Sequence, residues 1–272
     1  MATFGGLFNV VLAICVLVAR AIIELPADPL GGRCSFERLA VRPRLFHCRG
    51  FASQAWIDAF VAESEALLAA NQVCRSRTCR SYADDLASRP VLNALMEKLY
   101  TLFSEEAAAE ARTGYKEQPL NILRYDVGGD TNWHIDPQHR HPNDLLASAI
   151  LYIGSPAEGG ETTFRKSEPA PMVVPPLAGD LAIFVSCDGV GDDEEKSEHT
   201  GMKVLSGNKL VLEKFFSLPR WFCTQGFSFP APDEITVIRE TAKAAQMLSD
   251  ERTATPQSDK SDCQSCLDSG SD

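Results

Sequence analysis

The feature that most constrains the fold of this chain is a change of pattern at Pro119. Downstream of it, short β-rich runs alternate with turn signals, at 119–127, 131–136, 145–153, 161–165, 171–174, 180–187, 197–204 and 208–218. Gly128-Gly129, Gly159-Gly160, Pro175-Pro176 and Gly207-Asn208 punctuate them. Such pairs mark turns rather than element interiors. Eight short strands in about 100 residues predict an antiparallel sandwich or jelly roll.

Upstream the pattern is helical. Ser53 is placed to cap a helix from Gln54 to about Ala70, with Trp56, Phe60 and Leu67 near one face. Residues 71–88 are polar and read as a loop. Ser88 is placed to cap a second helix that runs to about Ala111, with Pro90 just inside its start. Residues 24–42, rich in Pro, Gly and Arg, read as a linker, and Arg44 to Cys48 as a short extended run. Beyond the strands, 223–249 is a segment whose stretch from Asp233 to about Leu248 is helical in composition. Residues 250–272 form a polar, Ser/Asp-rich tail expected to be disordered.

Residues 1–23 carry a different signal. Phe4 to Ala19 is an almost unbroken apolar run, followed by Arg20 and a second short apolar run. It is short for a bilayer span, which takes about 20 residues, and has the length of a signal-peptide core. Ala19-Arg20-Ala21 offers a small-x-small cleavage site. Secretory targeting follows as an expectation, with a cleaved signal and a retained anchor both open. The chain has nine cysteines. Cys15 lies in the targeting run, and the others are Cys34, Cys48, Cys74, Cys79, Cys187, Cys223, Cys263 and Cys266. An even remainder behind a secretory signal suits an oxidising lumen; the connectivity stays open. The net charge of −11 argues against a nucleic-acid partner.

The chemistry concentrates at Trp133-His134-Ile135-Asp136. In a strand, residues i and i+2 share a face, so His134 and Asp136 can present a nitrogen and a carboxylate oxygen to one metal. His199, on a later predicted strand, is the candidate third ligand. Two His and one carboxylate on one side of an ion leave open positions, as in non-haem Fe(II) oxygenases. Lys209 follows ten residues after His199, one hairpin turn on. A lysine buried there needs an anionic partner, because an unpaired buried charge is costly.

In sequence order the blocks are Leu120-Asn121-Ile122-Leu123-Arg124-Tyr125, His134-Ile135-Asp136, Ile150-Leu151-Tyr152-Ile153, Glu158-Gly159-Gly160-Glu161-Thr162, Gly179-Asp180, His199-Thr200-Gly201 and Gly207-Asn208-Lys209. From about 119 to 219 the chain resembles the catalytic domain of the prolyl 4-hydroxylase family, and 43–112 its helical support. The resemblance implies a mainly β fold with flanking helices, a double-stranded β-helix (jelly roll) whose core spans 113–222. It implies Fe(II) on His134, Asp136 and His199. It implies the distal carboxylate of 2-oxoglutarate on Lys209 and Tyr125, with Tyr152 and Thr162 lining the same pocket. The implied reaction couples oxidation of 2-oxoglutarate to succinate and CO₂ with hydroxylation of a peptidyl proline, using O₂, with L-ascorbate as the supporting reductant. Endoplasmic reticulum residence is implied by the same analogy. The oligomeric state is not read from sequence.

Three positions depart from the family. Leu210 and Phe215 stand where relatives often carry Trp, and Leu145 where they often carry Arg. These positions face the peptide in relatives, so another peptide side chain or a small molecule is the alternative substrate. A local metal cluster of His134, Asp136, His139 and His141 is a second alternative, and a non-catalytic jelly-roll subunit a third. The acidic loop 187–198 reads as solvated, or as a lid favouring basic peptides.

Overall fold

In the computed structural model the described residues are 30–32, 36–70, 72–83, 85–86, 88–103, 105–113, 119–136, 145–188, 194–218 and 221–224. The expectations for the N-terminal segment, for His139 and His141, for Cys34, Cys263 and Cys266, and for the C-terminal helix and tail lie outside them. No helix among the described residues is long and apolar enough to cross a membrane.

The β-rich run at 145–153 becomes strand β6 (Leu145–Gly154), near the middle of the main sheet. A strand covered on both faces reads as continuously apolar. Its alternate residues enter two different cores. Ala147, Ala149, Leu151 and Ile153 face the helices, while Ile150 and Tyr152 face the interior of the roll. The partners of β6 are β10 (Leu181–Val185) and β13 (Lys209–Ser217), both antiparallel. Beyond β10 lie β2 (Leu45–Cys48) and β1 (Phe36–Ala40). Beyond β13 lie β5 (Leu120–Tyr125), β4 (Thr78–Ala83) and β3 (Val73–Arg75). Two small sheets close the roll. One pairs β11 (His199–Gly201), β8 (Thr162–Phe164) and β9 (Met172–Val174); the other pairs β12 (Val204–Ser206) with β7 (Glu158–Gly159). Phe164, Met172, Val174 and Val204 from them pack on Tyr125, Tyr152, Phe184 and Val211 of the main sheet. The architecture is the expected jelly roll.

On the outer face sit α1 (Gln54–Ala70), α2 (Pro90–Tyr100) and α3 (Glu105–Thr113). Ser53 caps α1, its Oγ accepting from Trp56 N at 3.2 Å. Ser88 does not cap α2: its hydroxyl donates to Asp85 O. The first turn of α2 is held by α1 instead, where Glu63 accepts from Val91 N at 3.1 Å and Leu92 N at 3.2 Å. The second predicted helix is also two helices. After Tyr100 the backbone tightens to i−3 bonds, Leu102 N to Leu99 O and Phe103 N to Tyr100 O. This turns Phe103 into an aromatic cluster with Phe216 at 4.7 Å and Phe222 at 6.0 Å. Phe222 belongs to the short helix α4 (Trp221–Thr224), which the Cys187–Cys223 disulfide ties to the end of β10.

Three further expectations are corrected. Residues 71–88 are not a loop: 73–83 form the hairpin β3–β4, joined at Ser76 (φ 56°) and bridged by Cys74–Cys79. Its buried positions are Cys79, Ser81 and Ala83, too small and polar to give an apolar alternation. The 24–42 linker contains β1. Residues 131–136 form no strand; His134 makes only an isolated bridge to His199.

Candidate metal centre and anion pocket

That bridge brings the distant histidines together. His134 N donates to His199 O and His199 N to His134 O, at 3.0 and 2.8 Å. The two rings lie 4.4 Å apart, centroid to centroid. Asp136, two residues on, turns its Oδ1 to 3.5 Å from His134 Nε2 and 3.8 Å from His199 Nε2. One donor atom from each residue lies within 4.8 Å of the others. The i, i+2 spacing therefore delivers the ligands through an irregular segment pinned to β11 rather than through a strand.

Each donor is oriented from behind. His134 Nδ1 donates to Asn132 O at 2.8 Å and His199 Nδ1 to Ser197 O at 2.9 Å. Those bonds leave both Nε2 atoms as neutral acceptors aimed at one point, the arrangement seen at metal-bound histidines. Ser148 Oγ donates to Asp136 Oδ2 at 2.5 Å, leaving Oδ1 as the inward oxygen. Phe164 and Phe184 pack on the His199 ring, at 5.2 and 4.8 Å. Burial pushes the His199 imidazole below its ordinary range. The Asp136 hydrogen bond raises His134. Burial opposes ionisation of Asp136, but His134, His199 and Ser148 together hold its carboxyl below the usual range. A carboxylate and two tautomerically fixed imidazoles suit a divalent cation, with the half-exposed His134 side open.

Lys209 opens β13, in register with Tyr125 on β5. It is 3% exposed. Its Nζ sits over the rings of Tyr125, at 5.1 Å, and Tyr152, at 5.6 Å. Among the described residues no carboxylate lies within ion-pair distance of it. Burial lowers its pKa to about 8, against the pull of Glu161 and Glu213. Two glycines leave room around it. A Cβ at Gly201 would stand 3.5 Å from Nζ, and one at Gly160 (φ 79°) 3.4 Å from Cδ. Tyr152 OH donates to Thr162 Oγ1 at 2.8 Å, so the hydroxyl of Thr162 faces the same space. Tyr125, Asp136, Tyr152, Thr162, His199 and Lys209 are thus buried in the roll, with His134 half-exposed at the edge of the triad.

Sequence reasoning missed Ser148, the carbonyls of Asn132 and Ser197, and the Phe164/Phe184 wall. Ser148 had a signal: it is the one serine in the apolar run of β6. Two of the acids in the 187–198 loop, Glu194 and Glu198, are already partnered. Glu194 takes a bidentate pair from Arg42 at 2.9 and 3.1 Å, and Glu198 pairs with Arg165 and Lys166.

Residues 120–217 match the profile of the 2OG-Fe(II) oxygenase superfamily. The chain is 26% identical over 207 residues to "Probable prolyl 4-hydroxylase 9" of Arabidopsis thaliana, covering 68% of this chain and 72% of that protein. It is 21% identical over 226 residues to "Probable prolyl 4-hydroxylase 4" of the same plant, covering 70% and 71%. Among solved structures it is similar to the viral collagen prolyl hydroxylase of Paramecium Bursaria Chlorella virus-1 in its 2OG complex. The TM-score is 0.51 at 20% identity, over 64% of this chain and 95% of that one. That likeness is one of fold.

Proposed function

We propose that this chain, whose core resembles the prolyl 4-hydroxylase-like Fe(II)/2-oxoglutarate oxygenases, hydroxylates a peptidyl proline. The observation that carries the reading is the pairing of two sites inside one roll. A His134/Asp136/His199 triad lies beside Lys209, a buried ammonium with no carboxylate partner among the described residues. A dianionic 2-oxo acid fits both: its oxo and carboxylate oxygens toward a metal on the triad, its distal carboxylate on Lys209 and the Tyr125 hydroxyl. Bound Fe(II) would supply the oxidative chemistry with O₂. The balance is one 2-oxoglutarate, one O₂ and one C–H bond giving succinate, CO₂ and an alcohol. The residues of this chain orient the reactants and exclude water. Tyr152 and Thr162 close the floor of the pocket, and Phe164 and Phe184 shield His199.

L-Ascorbate as reductant and an endoplasmic reticulum address accompany this reading. The Cys74–Cys79 and Cys187–Cys223 disulfides support the latter, since disulfides persist in oxidising compartments. Another peptide side chain is the second reading for the substrate, favoured by Phe215 and Leu210 on β13. The test uses purified protein, Fe(II), 2-oxoglutarate, ascorbate and proline-containing peptides. Succinate release matched by the gain of one oxygen on proline is expected. Succinate with oxygen on another residue selects the second reading, and no 2-oxoglutarate turnover overturns both.

A further inference from the structure

The inner face of the main sheet carries one acid that neither the triad nor the Lys209 pocket uses. Glu213, on β13, is in register with Asn121 on β5 and Ile150 on β6. The next inward position of β13, Phe215, pairs with Ser148, the residue that holds Asp136. Glu213 therefore lies beside the metal triad, and it is 9% exposed. Its Oε2 accepts from Asn121 Nδ2 at 3.0 Å. Arg80 Nη2 approaches the same oxygen at 3.9 Å from β4, on the inward-facing side that also carries Thr78 and Tyr82. Among the described residues no hydrogen bond reaches Oε1. Burial, reinforced by the charge of Asp136, holds this carboxyl at about 7.

Burying an acid beside another acid is unfavourable, and one neutral hydrogen bond with one distant guanidinium offsets only part of the cost. The open oxygen is an acceptor in want of a donor. Arg80, whose side chain is 43% exposed, has donors to spare. The two carry opposite charges, so a cation would be repelled by Arg80 and an anion by Glu213. The complement is a neutral group with a donor and an acceptor on one side. A residue in an extended chain presents its own N–H and C=O that way, as in the narrow pairs of an antiparallel ladder.

We propose that Glu213 and Arg80 form a substrate subsite for the main chain of an extended peptide, Glu213 accepting a peptide N–H and Arg80 donating to a peptide carbonyl beside the oxidised residue. The subsite rests on the hydroxylase reading above and narrows its substrate. A chain built only of proline has no main-chain N–H and cannot satisfy Glu213. Peptides in which proline alternates with other residues can.

Binding is measured by calorimetry on the full chain loaded with Mn(II) and 2-oxoglutarate, so that affinity is read without turnover. An Ala-Pro repeat peptide is expected to bind about tenfold more tightly than poly(L-proline) of equal length, the size of one hydrogen bond to a charged group. Glu213→Met should bring that ratio to within about twofold, and Glu213→Gln, which keeps an acceptor oxygen, should preserve most of it. Equal affinities in the wild-type protein overturn the proposal, as does an unchanged ratio in Glu213→Met. A Lys-Pro repeat that outbinds the Ala-Pro repeat only when Glu213 is present also overturns it, in favour of a cation site. If Glu213→Met does not fold, the wild-type ratio decides alone. The expected ratio without oxygen incorporation under Fe(II) removes the hydroxylase reading and leaves the subsite standing; hydroxylation without the ratio does the reverse.

Discussion

Lys209 is the residue whose energetics are most exposed to test. Keeping its ammonium charged in this buried setting costs on the order of 3 kcal/mol, because burial lowers its pKa from 10.5 to about 8. Between about pH 8 and 10.5 the unfolded chain binds this proton and the folded one does not. Stability contributed by this group therefore rises with pH across that window. Lys209→Met should remove that rise in urea titrations and leave the protein at least as stable at pH 7. The same substitution should weaken 2-oxoglutarate binding by about a hundredfold, the loss of a buried charged pair. In the wild-type protein, affinity for 2-oxoglutarate should fall about tenfold for each pH unit above 8, as the ammonium deprotonates. An affinity flat to pH 10 would remove Lys209 from the anion site. At this scale the sequence was legible: His134, Asp136, His199 and Lys209 are polar residues at spacings a sheet can use. Ser148 offered only a lone serine in an apolar strand, and Glu213, next to Lys214 on β13, offered no spacing to read.

Among the elements, two disulfides brace parts of the structure that differ in loop length. Cys187–Cys223 closes 36 residues and Cys74–Cys79 closes 5. Chain entropy assigns about 4 kcal/mol to the first and about 2 kcal/mol to the second. Replacing each pair by serine and following urea unfolding should give losses in that order. The reverse order would mean that hairpin β3–β4 carries more of the stability than its loop length provides. Glu63 makes a similar local prediction. It replaces a side-chain cap at the start of α2, so Glu63→Ala should cost about 1 kcal/mol although the residue is on α1. Ser88→Ala should cost little. The sequence suggested the opposite assignment, because a serine two residues before a helical proline is a local signal. A carboxylate arriving from another helix is visible only once α1 and α2 are packed.

At the scale of the whole molecule, the triad joins segments that are otherwise separate. His134 and Asp136 lie between β5 and β6, and His199 opens β11. A divalent metal held by all three stabilises the folded state alone. At a hundred times its dissociation constant, that is worth about 2.7 kcal/mol. Mn(II) should accordingly raise the melting temperature by about 5–10 °C, and chelation should reverse it. His199→Ala should abolish both the shift and 2-oxoglutarate turnover. A shift surviving in His199→Ala would point to a local cluster around His134 instead. The sequence by itself pointed to the jelly roll and to the candidate ligand set. Strand periodicity, turn residues and ordered polar blocks are local properties that survive in one dimension. Only the tertiary structure decided how the ligands meet. The 131–136 segment is no strand, and its convergence comes from backbone bonds to His199, 65 positions on. It also decided what the hairpin 73–83 is, since its buried face is small and polar, and that it carries Arg80 to Glu213. Contacts between residues far apart in the chain leave no periodicity behind, so they appear only when the sheet is assembled.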